Sequence, residues 1–299
     1  MRAGLVAAVW AWLCLTAAAQ QIPRGLDRFL PVPTDNPMSA KSLELGRRLF
    51  FDRRLSRDES ISCASCHQPE NAFTDGRGKG VGVGGRVGAR NSPALLNLAY
   101  ATRLFWDGRV IRLEEQVVMP ISDPREMDLA VDVAAARVGL STTELAKALA
   151  SYVRSILAGD SRFDRFVEGD RTALSDDEQA GLELFRGKAK CTSCHLGPTL
   201  SDDRLHNTGV AWRDGRFLDD GAGDGKFKTP TLREVGRTAP YMHDGSVATL
   251  QAVIDYYDHG GNRHELLDSE VHPLGLSADE KAQLHAFLLS LSGRIHEGA

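Results

Sequence analysis

The sequence predicts a mostly α-helical chain folded as two similar halves with long loops between the helices. The pentapeptide pattern Cys-x-x-Cys-His occurs twice, at Cys63–His67 and Cys191–His195, and a short amphipathic run stands before each copy. Ser-x-x-Glu capping boxes announce further helices, and glycine-rich stretches separate them.

In chain order, Arg2 precedes an apolar run, Gly4–Thr16, and Ala17-Ala18-Ala19 stands before Gln20-Gln21. This is the pattern of a signal peptide over residues 1–19, which marks an exported chain. The run is shorter than the roughly 20 residues of a membrane span, and no later stretch is apolar enough to make one. Cys14 follows Trp12 and Leu13, too large for a lipid-attachment signal. Leu43-Glu44-Leu45-Gly46-Arg47-Arg48-Leu49-Phe50 reads as the helix before the first pentapeptide, and the stretch Gly76–Gly88 after it as loop. Ser141 with Glu144 starts a helix whose apolar positions run over Leu145–Leu157. A domain boundary falls near Ala158–Ser161, dividing the mature chain into residues 20–158 and 159–299. In the second half Ser175 with Glu178 starts the helix before the second pentapeptide, over Asp177–Phe185. Gly215–Gly225 is loop, Leu250–Tyr257 is helix, and Ser277 with Glu280 starts a helix over Leu284–Leu291. The amphipathic runs Leu43–Phe50 and Asp177–Phe185 each lead into a pentapeptide, the mark of an internal repeat.

Charge narrows the partners. Lys and Arg total 36 against 40 Asp and Glu, a formal net of −4 with no long run of either sign. Nothing here calls for nucleic acid or an anionic membrane surface.

The cysteines decide the chemistry. Once Cys14 leaves with the leader, the remaining ones are Cys63, Cys66, Cys191 and Cys194. A four-cysteine zinc ribbon separates its pairs by about 15–20 residues, far less than the separation of Cys66 from Cys191. A redox dithiol leaves His67 and His195 unexplained. Covalent haem c accounts for all of them: two thiols add to the vinyl groups of one porphyrin, and the adjoining histidine ligates its iron. Two haem c groups are therefore expected, held by Cys63, Cys66 and His67 and by Cys191, Cys194 and His195.

From Leu43 to Ser292 the chain resembles the bacterial diheme cytochrome c peroxidase and MauG-type family. The resemblance is carried by both pentapeptides and by Arg90-Asn91-Ser92-Pro93, Phe105-Trp106-Asp107-Gly108-Arg109, Leu113-Glu114-Glu115-Gln116, Pro124-Arg125-Glu126-Met127, Thr229-Pro230-Thr231-Leu232-Arg233 and Ala239-Pro240-Tyr241-Met242-His243-Asp244-Gly245. It implies two cytochrome c-like haem domains, an N-terminal one reacting with hydrogen peroxide and a C-terminal one exchanging electrons. Val83 stands where the peroxidases carry a displaceable distal histidine, and valine cannot ligate iron. The resemblance therefore implies an open first iron, with Met127 the other ligand-capable residue nearby. It places Gln116, Pro120 and Glu126 over that face, Glu126 as the proton shuttle, and Trp106 between the haems. Glu114 and Glu115 read as surface or structural carboxylates.

The second iron needs a ligand opposite His195. The peroxidases use methionine about nineteen residues after a Thr-x-Pro segment; that offset from Thr238-Ala239-Pro240 reaches Tyr257, and MauG-type enzymes have tyrosine there. Tyr256, Met242 and His259 are the competing candidates. Asn91, Thr238 and Pro240 match the family's calcium site. The resemblance implies a periplasmic, peroxide-dependent enzyme of MauG type that oxidises a tryptophan-bearing partner protein. The alternatives are a cytochrome c peroxidase fed by a small cytochrome or a cupredoxin, and a non-enzymatic diheme electron carrier.

Overall fold

The computed structural model describes residues 21–298, so the expected leader and Cys14 lie outside the described residues. The chain begins with α1 (Ala40–Phe50) and continues through the first pentapeptide and the glycine-rich loop. It then forms α2 (Leu113–Gln116), α3 (Met119–Ser122), α4 (Val131–Arg137), α5 (Thr142–Arg154) and a short strand β1 (Leu157–Gly159). α6 (Arg162–Val167) and α7 (Asp176–Arg186) lead into the second pentapeptide. Four two-residue strands follow: β2 (Leu205–His206), β3 (Trp212–Arg213), β4 (Arg216–Phe217) and β5 (Phe227–Lys228). α8 (Leu250–Asp258), α9 (Ala278–Leu289) and β6 (Arg294–His296) complete the order. The fold is mostly α, and no described helix is long and apolar enough to cross a membrane.

The helix starts follow from their caps. Ser141, Ser175 and Ser277 each accept from the backbone of a glutamate three residues on, whose carboxylate returns to the serine N–H. Each half then packs one helix pair at close range. A Cβ at Gly46 of α1 would collide with the Ala148 carbonyl of α5, and one at Gly181 of α7 with the Gln283 carbonyl of α9. Glycine lets the backbones approach. Just beyond each crossing an aromatic residue closes the core, Phe50 edge-on to Tyr152 at 5.1 Å and Phe185 tilted on Phe287 at 5.1 Å.

Two features depart from the sequence reading. The helix expected through Leu157 ends at Arg154, because Leu157 and Ala158 are drawn into β1, which pairs antiparallel with β6. The chain's last strand thus returns to the end of the first half, where the Tyr152 hydroxyl also donates to Glu297 at 2.7 Å. Gly215–Gly225 is not loop throughout: it carries β4, which pairs with β3 in a tight hairpin.

A cavity lined by both cysteine–histidine motifs

Each pentapeptide folds as one 3₁₀ turn, with His67 N–H donating to Cys63 O at 3.0 Å and His195 N–H to Cys191 O at 2.9 Å. The turns present all four cysteines and both histidines to one continuous cavity of about 1400 Å³. That exceeds the roughly 300–1,000 Å³ of ordinary ligand pockets. The thiols are unbridged, and burial pushes Cys66 up to about 11 and both Cys63 and Cys191 up to about 12.

The imidazoles are prepared in the same way. His67 Nδ1 lies 3.1 Å from Phe73 O and His195 Nδ1 2.9 Å from Leu200 O, so each Nδ1 carries the proton and donates it. Nε2 then holds the lone pair that a metal needs. Burial lowers both basicities, His195 to about 4, which keeps the rings neutral. Unbridged thiols in pairs, each pair beside an oriented imidazole on the wall of an oversized apolar cavity, fit two covalent haems.

The family model described as di-haem cytochrome c peroxidase matches residues 40–142. MauG of Methylorubrum extorquens is 37% identical over 286 residues, covering 88% of this chain and 81% of that one. The chain belongs to this di-haem peroxidase family. Cytochrome-c peroxidase IdrP1 of a Pseudomonas species is 36% identical, covering 88% of this chain and 84% of its own. The crystal structure of a MauG-like protein associated with microbial copper homeostasis superposes with a TM-score of 0.82 at 36% identity, covering 96% of each chain. As a member of the family the protein is an oxidoreductase that acts on hydrogen peroxide, with haem c as cofactor and a redox partner.

In this di-haem peroxidase Trp106, Gln116, Pro120 and Glu126 all line the cavity. The glycine-rich loop fixes Glu126. Val83 N–H donates to the Glu126 carbonyl at 2.8 Å, and a Cβ at Gly82 would strike the Arg125 and Glu126 carbonyls. Val83 itself is fully buried and off the wall, while Met127 touches the cavity from the N-terminal core. By surface area Glu126 counts as exposed, yet protein hems in its carboxyl, because the surface it shows is cavity wall. The second description governs its charge: burial, then Asp123, raises its pKa against the pull of Arg109 and Arg125. A small cleft lined by Phe105, Arg109, Met119 and Asp123 also reaches Glu126 and Pro120. Glu114 is structural, accepting from Asn36 and Arg154 at 2.8 Å each.

The ligand candidates for the second iron separate by face. Tyr257 lines the cavity; Tyr256 does not, its hydroxyl donating to Thr208 O at 2.8 Å and accepting from Asn262 N–H at 3.3 Å. His259 is exposed, with Nδ1 2.6 Å from Asp255 O, and only Met242 joins Tyr257 on the wall. Burial pushes the Tyr257 phenol up, so a cation against its oxygen is what would ionise it. Asn91 Nδ2 donates to Arg77 O at 2.8 Å and Pro240 O at 3.4 Å, while Thr238 shares the same wall and Trp106 Nε1 donates to Asn91 O at 2.9 Å.

Sequence reasoning missed His206. Its Nε2 lies 2.9 Å from Asp202 and its Nδ1 2.7 Å from Asp268, and with Cys194 Sγ and Asp202 it forms a compact set of metal-capable atoms. The Cys194 sulfur and the two carboxylates push His206 up to about 10. A thioether at Cys194 would leave that set a donor short. Asp202, four residues before His206, was a local signal; Asp268 lies too far along the chain to be one.

Proposed function

We propose that this chain is a periplasmic diheme peroxidase of MauG type, in which hydrogen peroxide drives oxidation of a tryptophan-bearing partner protein. The observation that carries the reading is Tyr257, on the cavity wall where Tyr256 and His259 are turned away. Cys63, Cys66 and His67 would hold the first haem, and Cys191, Cys194, His195 and Tyr257 the second. When bound, the haems would supply the redox centres for the reaction with peroxide.

The chain's own groups do the rest. Glu126, its carboxyl enclosed and its pKa raised, takes a proton from one peroxide oxygen and returns it to the other. Gln116 orients the substrate by hydrogen bonding, Pro120 shapes the wall without adding a donor, and Trp106 links the two halves of the cavity. A half-turn of the Asn91 amide would set Oδ1 beside the Arg77 and Pro240 carbonyls; with Thr238 these oxygens suit calcium. The two halves, divided near Ala158, are repeats of one haem-binding unit: both carry the glycine crossing, the closing phenylalanine and the 3₁₀ turn.

Met242 on the same wall favours a second reading, a cytochrome c peroxidase drawing electrons from a small cytochrome or cupredoxin. Substitution separates the two. Tyr257→Phe should change the low-spin ferric spectrum of the second haem while peroxide still binds at the first. An unchanged spectrum in Tyr257→Phe, with the signal lost in Met242→Leu, would replace the MauG-type reading by the peroxidase one.

A further inference from the structure

Among the described residues tryptophan occurs at Trp106 and Trp212, and Trp212 lies outside every role above. It sits on β3, whose pleat sends alternate side chains to opposite faces. Val210, Ala211 and Arg213 line the cavity and Trp212 does not, so the indole stands behind that wall. It stacks on His264 at 4.8 Å and 27°, and Phe217 meets both rings edge-on at 5.0 and 5.2 Å.

His264 is unusual in this cluster. Its Nδ1 accepts from Leu266 N–H at 3.2 Å, so the ring proton is on Nε2, and that Nε2 is buried with no hydrogen-bond partner. A buried donor left unpaired calls for an explanation, and a redox role is one. The imidazole ring lies nearly flat against the indole, a neighbour whose π-electrons stabilise a positive charge on tryptophan. Leu218 and Leu266, each about half exposed at 53% and 51%, bring the cluster to the surface.

The cluster is also joined inward. Asn262 donates its side-chain amide to Trp212 O at 3.1 Å and its backbone N–H to the Tyr256 hydroxyl at 3.3 Å. Tyr256 stands edge-on to Tyr257, 5.5 Å between centroids, and Tyr257 reaches the cavity.

We propose that Trp212, stacked on His264, is a redox relay through which electrons from the protein partner reach the second-haem end of the cavity. This rests on the reading of Cys191–His195 as the second haem's site. One electron leaves the indole toward the cavity, the indole keeps its N–H as a radical cation, and an electron from the partner restores it. Two such transfers and two protons from solvent reduce one hydrogen peroxide to two waters. With no donor present the indole is consumed instead: it gives up two electrons and two protons and gains one oxygen from water, so that tryptophan and peroxide yield hydroxytryptophan and water.

The test starts from holoprotein whose intact mass includes two haems. Peroxide without a reductant should add oxygen to the peptide carrying Trp212, and excess ascorbate should suppress the addition. Trp212→Phe should slow electron delivery from reduced cytochrome c roughly tenfold. Trp212→Tyr, which restores an oxidisable ring, should recover most of that rate, whereas a ring needed only for packing would be replaced as well by Phe. An unmodified Trp212, or equal rates in the Phe and Tyr variants, overturns the relay alone. A protein carrying a single haem overturns the reading beneath it as well.

Discussion

At the scale of single residues, Glu126 carries the sharpest expectation. A group that must accept a proton works as its carboxylate, and its pKa is raised by burial. Activity should therefore fall as pH drops through a value above the ordinary 4.5, and the acid limb of the peroxide-reaction profile should lie there. Glu126→Gln should abolish that limb and cost about 10²–10⁴ in rate. A mutant that keeps both limb and rate would remove Glu126 from the mechanism. Glu126 was legible only through family resemblance, since nothing local distinguishes it from Glu114 and Glu115. The choice between Tyr256 and Tyr257 was less legible still. Successive helical residues point about 100° apart, and only the packing of α8 decides which faces inward.

Among elements, the two glycine crossings set the distance between paired helices. Gly46→Ala and Gly181→Ala should each destabilise by about 1–3 kcal/mol through overpacking, read as a lower urea midpoint with unchanged slope. Ser175→Ala, which removes the cap of α7, should cost about 1 kcal/mol. The caps at Ser141, Ser175 and Ser277 could be read directly because Ser-x-x-Glu is a local signal. Ser161 and Ser39 make the same reciprocal bonds with Asp164 and Ser42, outside that pattern, and were not anticipated. Where a helix stops was less readable: Leu157 continues the apolar pattern of α5, and only its distant partner His296 makes it strand. The two-residue strands β2 to β5 are too short to leave a periodicity.

For the molecule as a whole, the exported protein should weigh as residues 20–299 plus two haems, and an intact mass with fewer haems would refute the reading of the paired motifs. Ending the chain at Gly293 removes β6 and Glu297, which should unpair β1 and free the Tyr152 hydroxyl. The truncated protein should melt at lower temperature, with the loss felt in the half that carries Cys63–His67. The mostly helical class and the two cysteine–histidine turns were open to sequence because each rests on neighbouring residues. One continuous cavity, the His206 pairing with Asp268 and the return of the C-terminus rest on contacts between distant residues, and no local pattern announces them.

The pairing of β1 with β6 also orders events in time. Ribosomes release the amino-terminal half first, but the strand that completes its edge, Arg294–His296, lies more than 130 residues further along the chain. A chain half made therefore carries an unpaired edge and a buried phenol without its acceptor, and both are satisfied only after the second half has been made. Closing a loop of that length is a slow, late step compared with forming either helix pair. Completion of the half that carries Cys63–His67 is thereby tied to the arrival of residues 294–297, so a chain that stops before them is left incomplete in both halves.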